Sequence, residues 1–85
     1  MAAGSLAKVC ASFANAIKLL TKQIGIDERL VLKLKNELAT LQSQPKPDAA
    51  AISAKQEELK KAQEKLGSDR GELEAFQNEF DANCR

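Results

Sequence analysis

Apolar residues in the first half of the chain recur at alternating steps of three and four residues. This spacing is a heptad seam, in which positions a and d of each seven-residue repeat face a partner helix. It continues for five repeats and predicts a helix over residues 5–43, interrupted in the seam only by Asp27. The apolar seam positions are Leu6, Cys10, Phe13, Ile17, Leu20, Ile24, Val31, Leu34, Leu38 and Leu41.

The second half of the chain carries a weaker seam, which predicts a helix over residues 48–83. Its d positions include Lys55, Asp69 and Asn83, although a seam prefers apolar side chains there. The full set of seam positions is Ile52, Lys55, Leu59, Ala62, Leu66, Asp69, Leu73, Phe76, Phe80 and Asn83.

Both prolines of the chain, Pro45 and Pro47, lie between the two seams and predict a bend over residues 44–47. A residue that precedes proline is excluded from the helical region, so Gln44 and Lys46 should be extended. Pro47 can open a new helix at its first position, where no N–H group is needed. Asp48 would then lie in the first turn and interact favourably with the helix dipole.

The two seams share one antiparallel register. In an antiparallel pair the numbers of facing residues have a constant sum, and Leu41 with Ile52, like Leu34 with Leu59, gives 93. Val31 with Ala62, Leu20 with Leu73, Ile17 with Phe76 and Phe13 with Phe80 give the same sum. We therefore predict one all-α domain over residues 1–85, an antiparallel helical hairpin that forms a two-stranded coiled coil. Two hairpins could pair into a four-helix bundle.

Glycines at the same level of both helices indicate a local irregularity. Gly25 and Gly67 each precede an Asp by two residues, a pattern typical of a helix end followed by an Asp N-cap. The sequence thus predicts shared kinks near residues 25–27 and 67–69, either structural or acting as a hinge. If both breaks are sharp, the alternative fold is a compact bundle of four short helices. Carboxylates alone at this loose spacing do not define a metal site.

The two cysteines, Cys10 and Cys84, lie near each other at the open end of the predicted hairpin. A disulfide there would close almost the whole chain, and two reduced thiols in a cytosolic protein are the other interpretation. The chain has no His, and two Cys do not complete a zinc site. We expect no metal, no cofactor and no catalytic residues, because no phosphate loop or nucleophile motif is present either.

Charge and hydropathy limit the classes of partner. The net charge is +1, and no apolar run approaches the roughly 20 residues of a membrane-spanning helix. Lys8 and Lys18 interrupt the apolar stretch in which a signal peptide would be sought. We predict a cytoplasmic protein, with export that does not depend on a cleaved signal as the alternative.

Apolar residues outside the seam concentrate on one side of the first helix, at heptad positions g and c. We call this set the apolar flank, and it comprises Val9, Ala16, Leu19, Ile26 and Leu30. A two-helix hairpin cannot bury both the seam and the apolar flank, so the flank predicts a partner-binding surface. We predict a non-catalytic structural or adaptor module of a larger assembly. Its partner would be another protein or a second copy, giving a homodimer or small homo-oligomer.

A basic stripe on the outer side of the first helix, formed by Lys8, Lys22 and Arg29, supports an alternative function. In that alternative the protein is a peripheral module that binds anionic membranes or nucleic acid. The stripe lacks interleaved aromatic residues and dense arginines, which makes a solvated helix face the simpler interpretation.

Overall fold

A computed structural model describes residues 3–84, with side chains for residues 6–84. It consists of two long helices, α1 (Ala3–Gln42) and α2 (Ala49–Asn83). They lie side by side in a rod that measures 67 × 14 × 14 Å. The structure confirms the all-α antiparallel hairpin. The alternative of a compact bundle of four short helices is wrong, because such a bundle would not extend over this length.

The bend between the helices occupies residues 43–48 and is held by polar contacts at each helix end. At the end of α1, the Ser43 backbone N–H donates to the Ala39 carbonyl at 3.1 Å. At the start of α2, Oδ1 of Asp48 accepts from the N–H groups of Ala50 and Ala51 at 3.0 and 3.2 Å. The prediction that Pro47 opens the second helix is wrong, because Asp48 is the N-cap and pairs two otherwise free N–H groups.

The core lies in the middle of the rod and consists of seam residues from both helices. Leu59 and Leu73 pack against it and are only partly buried. A rod two helices thick has no second layer, so its apolar side chains stay partly in contact with water elsewhere along the seam. The buried apolar residues of this core are Ile24, Val31, Leu34, Ala62 and Leu66, and each keeps a small exposed fraction.

Two ion pairs between the helices follow the predicted register closely. Lys65 Nζ lies 3.2 Å from Oδ1 of Asp27, and Lys55 Nζ lies 3.7 Å from Oε1 of Glu37. Each pair is one residue away from the predicted sum. The aromatic residues near the open end deviate more, since Phe13 contacts Phe76 with ring centroids 6.1 Å apart. Phe80 was the predicted partner of Phe13, one helical turn away, and a side chain in a coiled coil sits among four partner residues.

Both helices continue without interruption through Gly25 and Gly67, so the predicted helix ends at these glycines are wrong. No residue in the described part of the chain has a positive φ, which the expected glycine caps would require. The physical reason is that Asp27 finds polar partners inside the hairpin and does not need to cap a helix. A smooth bend of the helix axes at this level stays a prediction.

We expect Gly67→Ala to raise the free energy of unfolding by about 0.5–1 kcal/mol. Gly67 lies inside α2, and a Cβ added there would meet no atom within 4 Å, so alanine gains helix propensity without a clash. Chemical denaturation at neutral pH under non-oxidising, non-reducing conditions measures the change. Ala75→Gly, at an exposed position of the same helix, is the matched control and should lower stability by a similar amount. A destabilising Gly67→Ala would indicate that the glycine itself is required.

Candidate interaction surface

A polar cluster crosses the seam near the middle of the rod and comprises Gln23, Asp27, Lys65 and Asp69. Asp27 is 3% exposed, the most deeply buried of the charged side chains that the structure describes. Its Oδ1 accepts from Nε2 of Gln23 at 2.9 Å and from Nζ of Lys65 at 3.2 Å. Lys65 also donates to Oδ2 of Asp69 at 2.8 Å. One ammonium group therefore bridges the two carboxylates that interrupt the two seams.

The electrostatics of the polar cluster favour ionised Asp27. Burial by itself raises the pKa of this carboxyl, but the hydrogen bonds from Gln23 and Lys65 and the positive charge of Lys65 lower it. The pKa of Asp27 therefore lies below its usual value of 3.8. A pKa lower in the folded than in the unfolded chain means that ionised Asp27 contributes stability at neutral pH. That contribution is lost as the pH falls through the folded-state pKa.

The polar cluster accounts for Asp27 and Asp69, two of the four polar positions in the seams, and the sequence pattern did not predict it. The local pattern predicts Asp27 and Asp69 as N-caps of new helices, whereas both lie inside continuous helices. The available signal was Lys65, which the common register places one residue from the position that faces Asp27. A long lysine stem can run along apolar surface and leave its ammonium group at the edge of the seam, where the Lys65 side chain is 54% exposed.

Replacing Asp27 with leucine is expected to raise the free energy of unfolding by about 1 kcal/mol. A leucine completes the apolar seam between Ile24 and Val31. It strands no buried charge, because Lys65 stays paired with Asp69 at the surface. Asp27→Ala is the control, since it removes the same carboxylate without refilling the space and should lower stability. Urea denaturation of both variants checks the signs, and a loss of stability in Asp27→Leu would mean that the cluster is a net stabiliser.

The apolar flank is largely open to solvent. Val9, Leu19, Ile26 and Leu30 are all exposed, with Leu19 at 57%, and Ala16 is half-buried beside the seam. Leu30 lines a groove between the helices together with Lys61 and Lys65. The polar cluster and the apolar flank therefore lie on the same side of the rod.

Two further large apolar residues, Leu6 and Leu32, are exposed but do not belong to the apolar flank. Leu6 is a seam residue at the open end of the hairpin, where α2 has ended. Leu32 lines a groove of about 530 Å³ on the other side of the rod, together with Gly67 and Arg70. Exposed hydrophobic residues scattered singly are normal, so Leu32 serves as a comparison for the contiguous flank.

The basic stripe is exposed as predicted from its outer position. Lys8, Lys22 and Arg29 all lie on the solvent side of α1. Arg29 uses its Nε to donate to the carbonyl of Gly25 at 3.2 Å, within its own helix. This hydrogen bond lies within α1, so it does not bring a further basic side chain from α2 next to the basic stripe.

A disulfide bond joins Cys10 to Cys84 and ties the first turns of α1 to the end of α2. The Cα atoms of the two residues are 5.7 Å apart, within the usual range for a disulfide. The sequence left the pair open between bridged and free thiols, because the predicted register brings the residues close without fixing their redox state. The bridge closes the end of the hairpin that the bend leaves open.

The geometry defines the class of this protein as an all-α antiparallel helical hairpin, closed by a bend at one end and a disulfide at the other. A scan against protein-family models found no match, and searches among curated proteins and solved structures found none either. Within the described residues, no helix is long and apolar enough to span a membrane. The same residues contain no group of three or more side chains suited to hold a metal ion.

Proposed function

We propose that this protein is a non-catalytic structural or adaptor module, which binds protein partners through the apolar flank of α1. The observation that carries the proposal is the exposure of four large apolar side chains, Val9, Leu19, Ile26 and Leu30, on one side of one helix. Neighbouring large hydrophobic residues at helical spacing on a rim of charged residues are typical of a surface that another helix covers. The second helix has no comparable set, so the partner surface belongs to α1.

The exposed area of the apolar flank is large enough to contribute to binding. Complete burial of a leucine or isoleucine side chain contributes about 1.5–3 kcal/mol. The flank side chains are about half exposed, so about half of that free energy remains available for binding a partner. Four such residues can supply several kcal/mol towards binding, which is comparable with the cost of immobilising a partner. We therefore expect binding that is moderate for one copy and stronger in an assembly in which several copies act together.

The test compares three forms of the full chain as immobilised baits: wild type, Leu19→Asp/Ile26→Asp, and Leu32→Asp. The flank variant puts charges into the proposed interface, and the control puts one on the opposite side of the rod. We expect proteins retained by the wild type, tagged copies of the chain included, to be lost with the flank variant and kept with the control. Equal retention by all three baits would contradict the proposal. Circular dichroism checks that both variants stay helical.

The cysteine pair supports an oxidising compartment over the cytoplasmic location predicted from the sequence. Disulfides persist outside the cytosol and are rare within it, because thioredoxin and glutathione keep thiols reduced there. The alternative of export without a cleaved signal fits the bridge better. Rapid alkylation of thiols in intact source cells distinguishes the two locations. An oxidised protein would carry no label at Cys10 and Cys84, whereas a cytosolic protein would carry a label at both.

A further inference from the structure

Four of the five residues of the apolar flank are arranged almost symmetrically about the middle of α1. This helix runs from Ala3 to Gln42, so its midpoint lies beside Gln23. Leu19 and Ile26 lie four residues before and three residues after Gln23. Ala16 and Leu30 lie seven residues before and seven residues after it. A two-fold axis near Gln23, perpendicular to the rod, would therefore bring these four flank residues, but not Val9, onto one another with the helix direction reversed.

We propose that the partner covering the apolar flank is a second copy of this chain, packed antiparallel with its own α1 against the first. The inference rests on the proposed function and specifies its partner. In this arrangement Leu19 of one copy meets Ile26 of the other, and Ala16 meets Leu30. Ala16, the small residue of the set, then faces the large Leu30, which lets the two helices approach closely at both ends of the Leu19–Ile26 contact. The contact is isologous and closes after two copies.

Charges on α2 favour the same arrangement. Lys61 lies on the side of the apolar flank, since it lines one groove with Leu30. Glu79 follows Lys65 by two heptads and therefore lies on that side too. In the predicted register Lys61 is level with Leu32 and Glu79 with Ala14, nine residues on either side of Gln23. The antiparallel dimer thus places Lys61 of each copy opposite Glu79 of the other.

A parallel dimer is less favourable on the same observations. With both open ends at one end of the bundle, a two-fold axis along the rod would place α1 of one copy against α2 of the other. The apolar flank would then meet the side of α2 that carries Lys65, Glu72 and Glu79. Those charges would lose water without gaining partners, which opposes association. The antiparallel dimer instead buries apolar side chains against apolar side chains.

The proposed register also assigns unequal roles within the flank. Val9 lies near the end of the contact, level with Glu37 of the second copy, because both are 14 residues from Gln23. Glu37 is already engaged with Lys55 of its own chain. Val9 therefore contributes less to the dimer than Leu19, Ile26 and Leu30 do. Val9→Asp should weaken dimerisation by a smaller factor than Leu19→Asp.

The test uses two single-cysteine additions, Leu19→Cys and Ile26→Cys, prepared separately with the native disulfide intact and distinguished by a tag on one. Mild oxidation of the mixture should give a covalent dimer that contains one chain of each kind. Either variant oxidised alone should give little dimer, since the two Leu19 positions are separated by about seven residues, or roughly 10 Å. Leu32→Cys, on the other side of the rod, is the control and should crosslink with neither.

The outcomes separate this inference from the function on which it rests. Covalent dimers that join Leu19→Cys only to itself, with no dimer that joins Leu19→Cys to Ile26→Cys, would indicate a parallel contact and overturn the antiparallel dimer. A wild-type chain whose mass by light scattering stays that of a monomer up to millimolar concentration would overturn it as well. In both cases the proposed function would stand if the bait experiment still shows proteins lost with the flank variant. If the flank variant and the wild type retain the same proteins, the proposed function and the antiparallel dimer are both overturned.

Discussion

Replacing Cys10 and Cys84 together with serine is expected to lower the free energy of unfolding by roughly 4 kcal/mol. The disulfide spans a sequence separation of 74 residues, so it restricts almost the whole unfolded chain. In the folded protein it holds the end of the hairpin at which Phe13 and Phe76 are only half-buried. A two-helix rod has a small core, so a change of this size is a large part of the stability of such a domain.

Thermal unfolding followed by circular dichroism measures this effect, and the expected fall in the midpoint is roughly 20 °C. Reduced wild-type protein is the matched control, because it loses the bridge and keeps both sulfur atoms in place. Reductant should destabilise the wild type about as much as the double substitution does, and should leave the serine variant unchanged. A wild type that unfolds at the same temperature with and without reductant would show that the bridge is absent or without effect.

Leu34→Ala carries the second largest expected effect, a loss of about 3 kcal/mol in the free energy of unfolding. Leu34 is 5% exposed and packs in the core with Val31 and Ala62. Truncation to alanine removes most of the apolar surface that Leu34 buries, and it leaves a space that the two rigid helices cannot close completely. The expected loss stays in the lower part of the usual range, because a rod of two helices lets water reach the vacated space.

Leu32→Ala is the matched control for Leu34→Ala, since it removes the same atoms two residues away. Leu32 is 60% exposed, so its substitution should change the free energy of unfolding by less than about 0.5 kcal/mol. Urea denaturation of both variants with the disulfide intact gives the comparison. Equal losses for the two leucines would contradict the register, because only the seam residue should be sensitive.

The two largest effects concern different parts of the rod. The disulfide acts on the unfolded chain and at the open end, whereas Leu34 acts through the central core. The apolar flank belongs to neither, because Leu19 and Ile26 point away from the seam and stay exposed. Substitutions in the flank should therefore alter binding with little change in stability, which is the behaviour that distinguishes an interaction surface from a structural one.

The polar cluster offers a second contrast between stability and specificity. Asp27 costs desolvation in a seam that would otherwise be apolar, yet it fixes Lys65 and, through it, Asp69 across the two helices. A buried polar contact of this kind can favour one register over others, as an asparagine does at an a position of coiled coils. Asp27→Leu is therefore expected to give a more stable hairpin in which the register is less uniquely specified.

The sequence by itself determined the hairpin and most of its register. Heptad spacing is a property of the helix period, so the seam residues Val31, Leu34 and Ala62 follow from position alone and are the residues that are buried. The apolar flank follows from the same period, because position g lies beside the seam and position c lies next to position g. The pairing of Asp27 with Lys65 is one residue away from the predicted sum, a deviation that long side chains readily absorb.

Only the tertiary structure decided the features in which local preference competes with packing. Gly25 and Gly67 locally favour a helix end, but the continuous seam on either side and the partners of Asp27 keep both helices intact. Asp48 rather than Pro47 starts α2, because a carboxylate that pairs two N–H groups outweighs the fixed φ of proline. The predicted antiparallel register placed Cys10 near Cys84, and their bridging depended on the last turn of α2 ending at Asn83 beside the first turns of α1. In each case the deciding contact joins residues far apart in sequence, which a periodic pattern does not encode.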